Sequence, residues 1–255
     1  MVIDFSRRTD PACPEGLLRL TNKLAVHGAP RVLHIWTKAP ATVARMYGDL
    51  FRQLKNAGTI VCAQVTLNFY EPPVEQIPAE ALDIKPLVDL LGSEAVRLRL
   101  DPVIAGYTDK FNIVAATTVA TVFSIERLTV NFLVPSYKNV SALLSRHGID
   151  PRESTFDEKK SLLAYAASLL PSVTEVAVCA ENGNLIREVP GLKPAACSDP
   201  EWFRRLGADL SGLKSRKSRS GCGCFYTDDW GEYPSRGGYV CPHKCLYCYA
   251  GHNRY

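Results

Sequence analysis

Apolar and polar positions along the chain fall into a recurring order. A short run of consecutive apolar residues is followed by a polar loop, then by a stretch with apolar positions three and four apart. The first run, Val2–Phe5, leads through Ser6–Pro11 into a helix near Glu15–His27, and the second, Val32–Trp36, through Thr37–Pro40 into a helix near Thr42–Asn56. The third, Ile60–Phe69, precedes a Pro/Glu-rich loop with Pro72, Pro73 and Pro78, then a helix near Lys85–Leu91. The fourth, Val96–Leu100, ends in Asp101-Pro102 and is followed by a helix near Thr108–Glu126. The fifth, Leu128–Val134, stops at Pro135, with helical patterns at Tyr137–His147 and Asp157–Leu170, and the sixth is Glu175–Cys179. Regular strand–helix alternation predicts parallel strands with helical crossovers. Six such units are too few for a complete eight-stranded barrel. The expected fold class is therefore α/β, a partial (β/α)6-type parallel barrel over residues 1–180, with a doubly wound open sheet as the alternative. Beyond Cys179 the periodicity fades and only Asp199–Leu210 reads as helical. Residues 181–255 are expected to form a cysteine-rich segment packed on the barrel mouth.

Two of the six strands break the apolar rule for strands buried on both faces. Gln64, Thr66 and Asn68 alternate with apolar neighbours, and so do Arg97, Arg99 and Asp101. Period-two alternation puts each trio on one face. That predicts a polar-lined lumen in which the arginines meet carboxylates, phosphates or water. An antiparallel sheet with one wet face, or an internal Arg–Asp pair that only holds structure, would give the same alternation. The loops at the carboxyl ends of the strands add Arg7, Arg8 and Asp10, then Lys38, Asp101 and Glu181. In parallel α/β folds this is the edge where ligands bind. Arg99, Asp101 and Lys38 are accordingly the candidate catalytic residues. Gln64, Arg7 and Arg8 are candidates for holding a cofactor.

Composition changes this picture at one point. The 255 residues are 46% hydrophobic with a formal charge of +4, which argues against disorder and gives no strong polyanion signal. The run Lys214–Arg219 reads as a solvated basic loop, so a nucleic-acid partner is not expected. The amino-terminal residues lack a basic run followed by an apolar one, and no stretch is long enough to span a bilayer. A cytoplasmic location without a membrane partner is expected. In that compartment the nine cysteines, five of them between Cys222 and Cys248, point to metal or redox chemistry rather than disulfides.

The segment Cys241-Pro-His-Lys-Cys245-Leu-Tyr-Cys248 holds three thiols at Cys-x-x-x-Cys-x-x-Cys spacing. Three thiolates so placed can each meet a different iron of a [4Fe-4S] cubane and leave the fourth iron open. Zinc, with Cys245 and Cys248 as one ligand pair, is the competing assignment. Cys179, Cys197, Cys222 and Cys224 would suffice for a second, fully ligated auxiliary cluster. Cys13 and Cys62 then remain as ordinary thiols, Cys62 packed within a strand.

The three-cysteine segment, with Tyr247 before the third thiol, resembles the cluster motif of the radical S-adenosylmethionine enzymes. The chain as a whole resembles the domain of unknown function 1848 family. The residues that carry this likeness are Ser6–Pro11, Trp36–Pro40, Gln64–Thr66, Arg99–Pro102, Cys179–Glu181, and Cys222–Cys224 through Tyr249-Ala250. The resemblance implies a barrel of radical S-adenosylmethionine type with the cysteine motif after the last strand instead of the first. It implies S-adenosylmethionine on the open iron, with Tyr247 near the adenine. The function expected is reductive cleavage of S-adenosylmethionine to a 5′-deoxyadenosyl radical acting on an unknown, small-molecule substrate. An electron donor such as flavodoxin or ferredoxin would supply the reducing equivalent. A non-catalytic or electron-transfer iron–sulfur protein is the alternative reading. A nucleic-acid-modifying or repair enzyme is the least favoured.

Overall fold

The computed structural model describes residues 1–255 apart from 8, 180, 182, 214–223, 226, 232–240 and 251–255, and at Lys138 the backbone alone. The chain forms two compact units, each assembled from segments distant in sequence. Residues 1–65, 77–96 and 196–242 make the first unit, and residues 66–76, 97–195 and 243–255 the second.

In the first unit, β1 (Val2–Phe5), α1 (Gly16–His27), β2 (Val32–Thr37), α2 (Pro40–Asn56) and β3 (Ile60–Thr66) follow in sequence. The pairs β1–β2 and β2–β3 are parallel, with Ile3 opposite Leu33 and Leu33 opposite Val61. Side chains alternate between the faces of a strand, so Ile3, Phe5, Leu33, Ile35, Val61 and Ala63 share one apolar face. Helix α2 starts at Pro40, whose fixed φ suits a first helical turn. It buries Val43, Tyr47, Phe51 and Leu54, the three-and-four spacing of one helix face. Tyr47 meets Phe5 edge-on at 6.2 Å and stacks on Phe51 at 5.4 Å. Helix α3 (Lys85–Leu91) packs beside α2. The opposite face of the three strands carries Asp4, His34, Trp36, Cys62 and Gln64 in register.

The second unit contains β4 (Val96–Val103), α4 (Lys110–Val122), β5 (Arg127–Phe132), α5 (Lys138–Arg146), α6 (Phe156–Leu169), β6 (Glu175–Val178), α7 (Gly183–Glu188) and β7 (Lys193–Pro194). Strands β4 to β7 pair in parallel in chain order. Leu98, Leu128 and Val176 line up on one face, and Arg99, Thr129 and Ala177 on the other. Helices α4 and α6 both begin at capping boxes, built on Asp109 with Asn112 and on Thr155 with Glu158. The chain returns to the first unit for α8 (Pro200–Arg205) and β8 (Asp228–Asp229). Within the first unit the strands are ordered β8-β1-β2-β3, and within the second β4-β5-β6-β7. The α/β class and the parallel pairing stand, and the antiparallel alternative falls away.

Several boundaries differ from expectation for local reasons. Among the described residues there are eight strands where six were read, because β7 and β8 are two residues each and leave no apolar run. Strand β3 stops at Thr66 rather than Phe69, as the chain turns off the ladder and Phe69 takes a φ of 56°. The last helix ends at Arg205, and Gly207 at φ 94° turns the chain away from helical geometry. Residues 183–188 are helical with no expectation of it.

Arg97 is fully buried and pairs with Glu126 at 3.0 Å. Breaking one partner of a buried ion pair strands the other. Glu126→Ala is therefore expected to lower unfolding free energy by about 3 kcal/mol. The more exposed Glu175, paired with Arg127, should contribute about 1 kcal/mol or less. Urea denaturation of both variants checks the contrast.

Candidate functional site

The polar face of the first unit is organised by Asp4. This carboxylate has no solvent exposure, yet it sits inside an otherwise apolar strand. His34 Nδ1 lies 2.7 Å from Oδ1, and Trp36 Nε1 donates to the same oxygen at 2.9 Å. The other oxygen receives Arg7 at 2.6 Å, the Ser198 hydroxyl at 3.2 Å and the Thr227 hydroxyl. Burial opposes the charge on Asp4, but the hydrogen bond from His34, the Arg7 guanidinium and the Thr227 hydroxyl hold its carboxyl below the ordinary value. Burial pushes His34 the other way, below the usual imidazole value, against the pull of Asp4. The consistent assignment is an ionised Asp4 facing a neutral His34 whose proton is on Nδ1.

Two of the residues expected to hold a cofactor, Arg7 and Gln64, lie on this face. Arg7 covers the Trp36 ring at 4.7 Å while it binds Asp4 and Ser198. Gln64 is buried and donates from Nε2 to the Cys197 carbonyl at 2.8 Å. Cys197 in turn donates its backbone N–H to Cys224 Sγ at 3.0 Å. His34 Nε2 and Gln64 Oε1 are buried acceptors with no hydrogen-bond partner among the described residues. Lys38 joins the neighbouring loop through its backbone N–H, which donates to Asp10 Oδ2 at 2.6 Å. Thr37 and the Ala12 N–H bind the same Asp10 carboxylate, which ties the loop after β1 to the end of β2. Arg8, Cys222, the Lys214–Arg219 run and His252 lie outside the described residues.

The second unit carries the cysteine turn. Residues 243–246 run beside the loop after β3: Gln76 N–H donates to the His243 carbonyl at 2.8 Å, and Leu246 N–H to the Val74 carbonyl at 3.0 Å. Cys248 N–H donates to the Cys245 carbonyl at 3.1 Å and closes the turn between the two thiols. Cys245, Leu246 and Tyr247 are buried in an apolar cluster with Tyr70, Val74, Ile104, Leu133, Val140 and Leu144. The Tyr247 hydroxyl donates to Glu75 Oε1, itself buried. Asn68 Nδ2 lies within hydrogen-bond distance of Glu75 Oε1, Tyr247 Oη and the Asp101 carbonyl, at 2.9, 3.0 and 2.9 Å. Its Oδ1 accepts the Asp101 N–H at 2.7 Å.

Asp101 is also held by Arg99, so both interior arginines of β4 have carboxylate partners. Arg99 is nearly buried and Asp101 is about a third exposed, which leaves the carboxylate as the accessible end of the pair. Cys179 is buried at the end of β6. Glu181 is engaged by Lys159 at 2.9 Å.

Asp4, His34 and Glu75 are the residues that sequence reasoning did not single out. A charged residue within Val2–Phe5 was the available signal for Asp4. Nothing local marks Glu75, whose partner Tyr247 is 172 residues away.

The chemistry of the cysteine set suits an iron–sulfur cluster. Cys245 and Cys248 flank one hydrogen-bonded turn, and Cys241 stands four residues before Cys245. Cys241 falls in the first unit, the other two in the second. Among the described residues, no three His, Cys, Asp or Glu side chains stand together in an arrangement that could hold a metal ion. No helix among them is long and apolar enough to cross a membrane.

Residues 21–250 match the family described as Domain of unknown function (DUF1848), and the chain belongs to that family. Comparisons with curated proteins and with solved structures return no match.

The Asp4–His34 pair generates a pH prediction. His34 is held below its unfolded value, so the unfolded chain binds the extra proton first, and stability falls as pH drops below about 6.5. Asp4 is depressed, so its contribution is present above its unfolded value and is lost only in stronger acid, below about pH 4. In His34→Asn the amide can donate to Asp4 but does not titrate. Melting temperature measured from pH 8 to 5 should decline less steeply in this variant than in the wild type.

Proposed function

We propose that the chain is an iron–sulfur protein of radical S-adenosylmethionine type, with Cys241, Cys245 and Cys248 as the protein ligands of an open-site [4Fe-4S] cluster. The observation that carries this reading is the Cys-x-x-x-Cys-x-x-Cys spacing of Cys241, Cys245 and Cys248. The turn between the second and third thiols supports it, since the Cys248 N–H to Cys245 carbonyl hydrogen bond brings these two ligand positions onto one tight turn. In this proposal the parallel strands form a partial barrel with the polar trios facing its lumen. With S-adenosylmethionine bound, such a cluster supplies one electron that splits the molecule into methionine and a 5′-deoxyadenosyl radical. Flavodoxin or ferredoxin would provide the electron.

The remaining work falls to this chain's own residues. Cys245, Leu246 and Tyr247, packed among Tyr70, Val74 and Ile104, exclude water from one side of the turn. Asp101, fixed by Arg99 and by both polar atoms of Asn68, offers an accessible carboxylate to orient an amine or a hydroxyl group. Arg7, over Trp36, offers a guanidinium to an anionic group. Cys179, Cys197, Cys222 and Cys224 are proposed to hold an auxiliary cluster.

A second reading, an electron-transfer or otherwise non-catalytic iron–sulfur protein, is favoured by one observation. The Tyr247 hydroxyl is already bound to Glu75 and its ring is buried beside Tyr70, 6.2 Å away. That ring has little surface left for an adenine.

Anaerobic purification followed by iron, sulfide and zinc analysis tests both readings. About four irons per chain supports the open-site cluster, about eight supports the auxiliary set as well, and zinc alone overturns the proposal. With dithionite and S-adenosylmethionine, the enzyme reading requires 5′-deoxyadenosine by chromatography and its loss in Cys248→Ala. Iron without that product favours the second reading.

A further inference from the structure

Three buried polar side chains in the second unit do more than satisfy one another. Tyr247 stands between Cys245 and Cys248, so any force on its ring is passed directly to the turn that presents both thiols. Its hydroxyl reaches through the apolar cluster to Glu75, which is 2% exposed. Asn68, 1% exposed, touches both Tyr247 Oη and Glu75 Oε1 and is itself locked to the backbone of Asp101 on two sides. A hydroxyl that only needed to be satisfied could have pointed to water at the edge of the cluster. Here a buried carboxylate and a buried amide, both with fixed positions, converge on it. Backbone bonds to Val74 and from Gln76 hold the segment beside the loop after β3, and the Tyr247 hydroxyl adds a side-chain tie to Glu75 of the same loop.

Resting on the iron–sulfur reading above, we propose that Glu75 and Asn68 are positioning residues for the cluster. They clamp the Tyr247 hydroxyl and so preset the orientation in which Cys245 and Cys248 meet the metal. Neither residue touches a ligand thiol in this role; both act through Tyr247. The device needs the hydrogen bond, not the charge, of Glu75. Supporting groups of this kind around metal ligands commonly change affinity by 10–100-fold when removed, roughly the range expected here.

The test uses the full chain, reconstituted anaerobically with ferrous iron and sulfide. Four proteins are compared with the wild type: Tyr247→Phe, Glu75→Leu, Glu75→Gln and the double variant Tyr247→Phe/Glu75→Leu. Two quantities are read: the electron paramagnetic resonance signal of the dithionite-reduced cluster and the rate of iron loss to a chelator. Tyr247→Phe and Glu75→Leu should each change the signal and speed iron loss about tenfold. Glu75→Gln keeps an acceptor oxygen for the hydroxyl and should match the wild type. The double variant should be no worse than either single change, because both remove one contact. An unchanged signal and rate in Tyr247→Phe overturns the proposal, and so does a Glu75→Gln variant as impaired as Glu75→Leu. If Glu75→Leu does not fold, Tyr247→Phe and Glu75→Gln still decide. A wild-type chain that takes up no iron sinks the iron–sulfur reading and this clamp with it. A wild-type cluster that Tyr247→Phe leaves untouched sinks the clamp alone.

Discussion

A carboxylate shut off from water must find all its hydrogen bonds inside the protein, and Asp4 imposes that demand on the first unit. Five groups answer it: a guanidinium, an indole N–H, an imidazole N–H and two hydroxyls. They come from the loop after β1, from β2, and from segments near residues 198 and 227. An unpaired buried charge is far more costly than any single contact it makes. The described segments around residues 198 and 227 are therefore tied to the first strand by more than apolar contact. Ser198 and Thr227 complete the Asp4 shell, while the Cys197 carbonyl takes the amide of Gln64 two strands away. Because Ser198 reaches β1 and Cys197 reaches β3, this dipeptide spans β2, where His34 and Trp36 stand.

The second unit meets a similar demand with a different residue. Asn68 follows β3, and its amide does for the end of β4 what a further ladder residue would have done, pairing with both the N–H and the C=O of Asp101. The same amide extends to Tyr247 and Glu75. One side chain thus connects the charged pair Arg99–Asp101 to the turn between two cysteines. Polar groups at the carboxyl ends of the parallel strands serve as joints here.

The local signals that were legible in the sequence are those with a local cause. Short apolar or alternating runs marked six strands, and Lys85–Leu91 was read to the residue because apolar spacing and Pro86 agree on it. Errors appear where a distant partner decides. Asn68 and Phe69 looked like strand residues by alternation, but Asn68 is drawn off by Asp101 and Tyr247. Helix α4 begins at Lys110 instead of Thr108 because Asp109 caps it. The polar trios were visible as period-two patterns, and so was the need of Arg97 and Arg99 for carboxylates. An Arg–Asp pair within the trio was one reading and Arg99–Asp101 forms it, whereas the partner of Arg97 was not visible, since Glu126 belongs to the next loop. The cysteine spacing was plain, whereas its anchor at Glu75 sits in a Pro/Glu-rich loop that reads as solvated. His34 appeared isolated because its partner precedes it by 30 residues on an adjacent strand.

The pairing of residues 243–246 with the loop at 74–76 also bears on the order in which the molecule assembles. It joins positions so far apart in sequence that chain closure between them is entropically expensive, and contacts of such high order form late in folding. Until that step the thiol of Cys245 has no apolar cluster around it and is open to oxidation or mispairing, whereas in the finished fold it is buried. The window of chemical vulnerability for the cysteine turn is thus set by the search time of its partner loop. A nascent chain stalled before that encounter would present its reactive sulfurs to the surroundings.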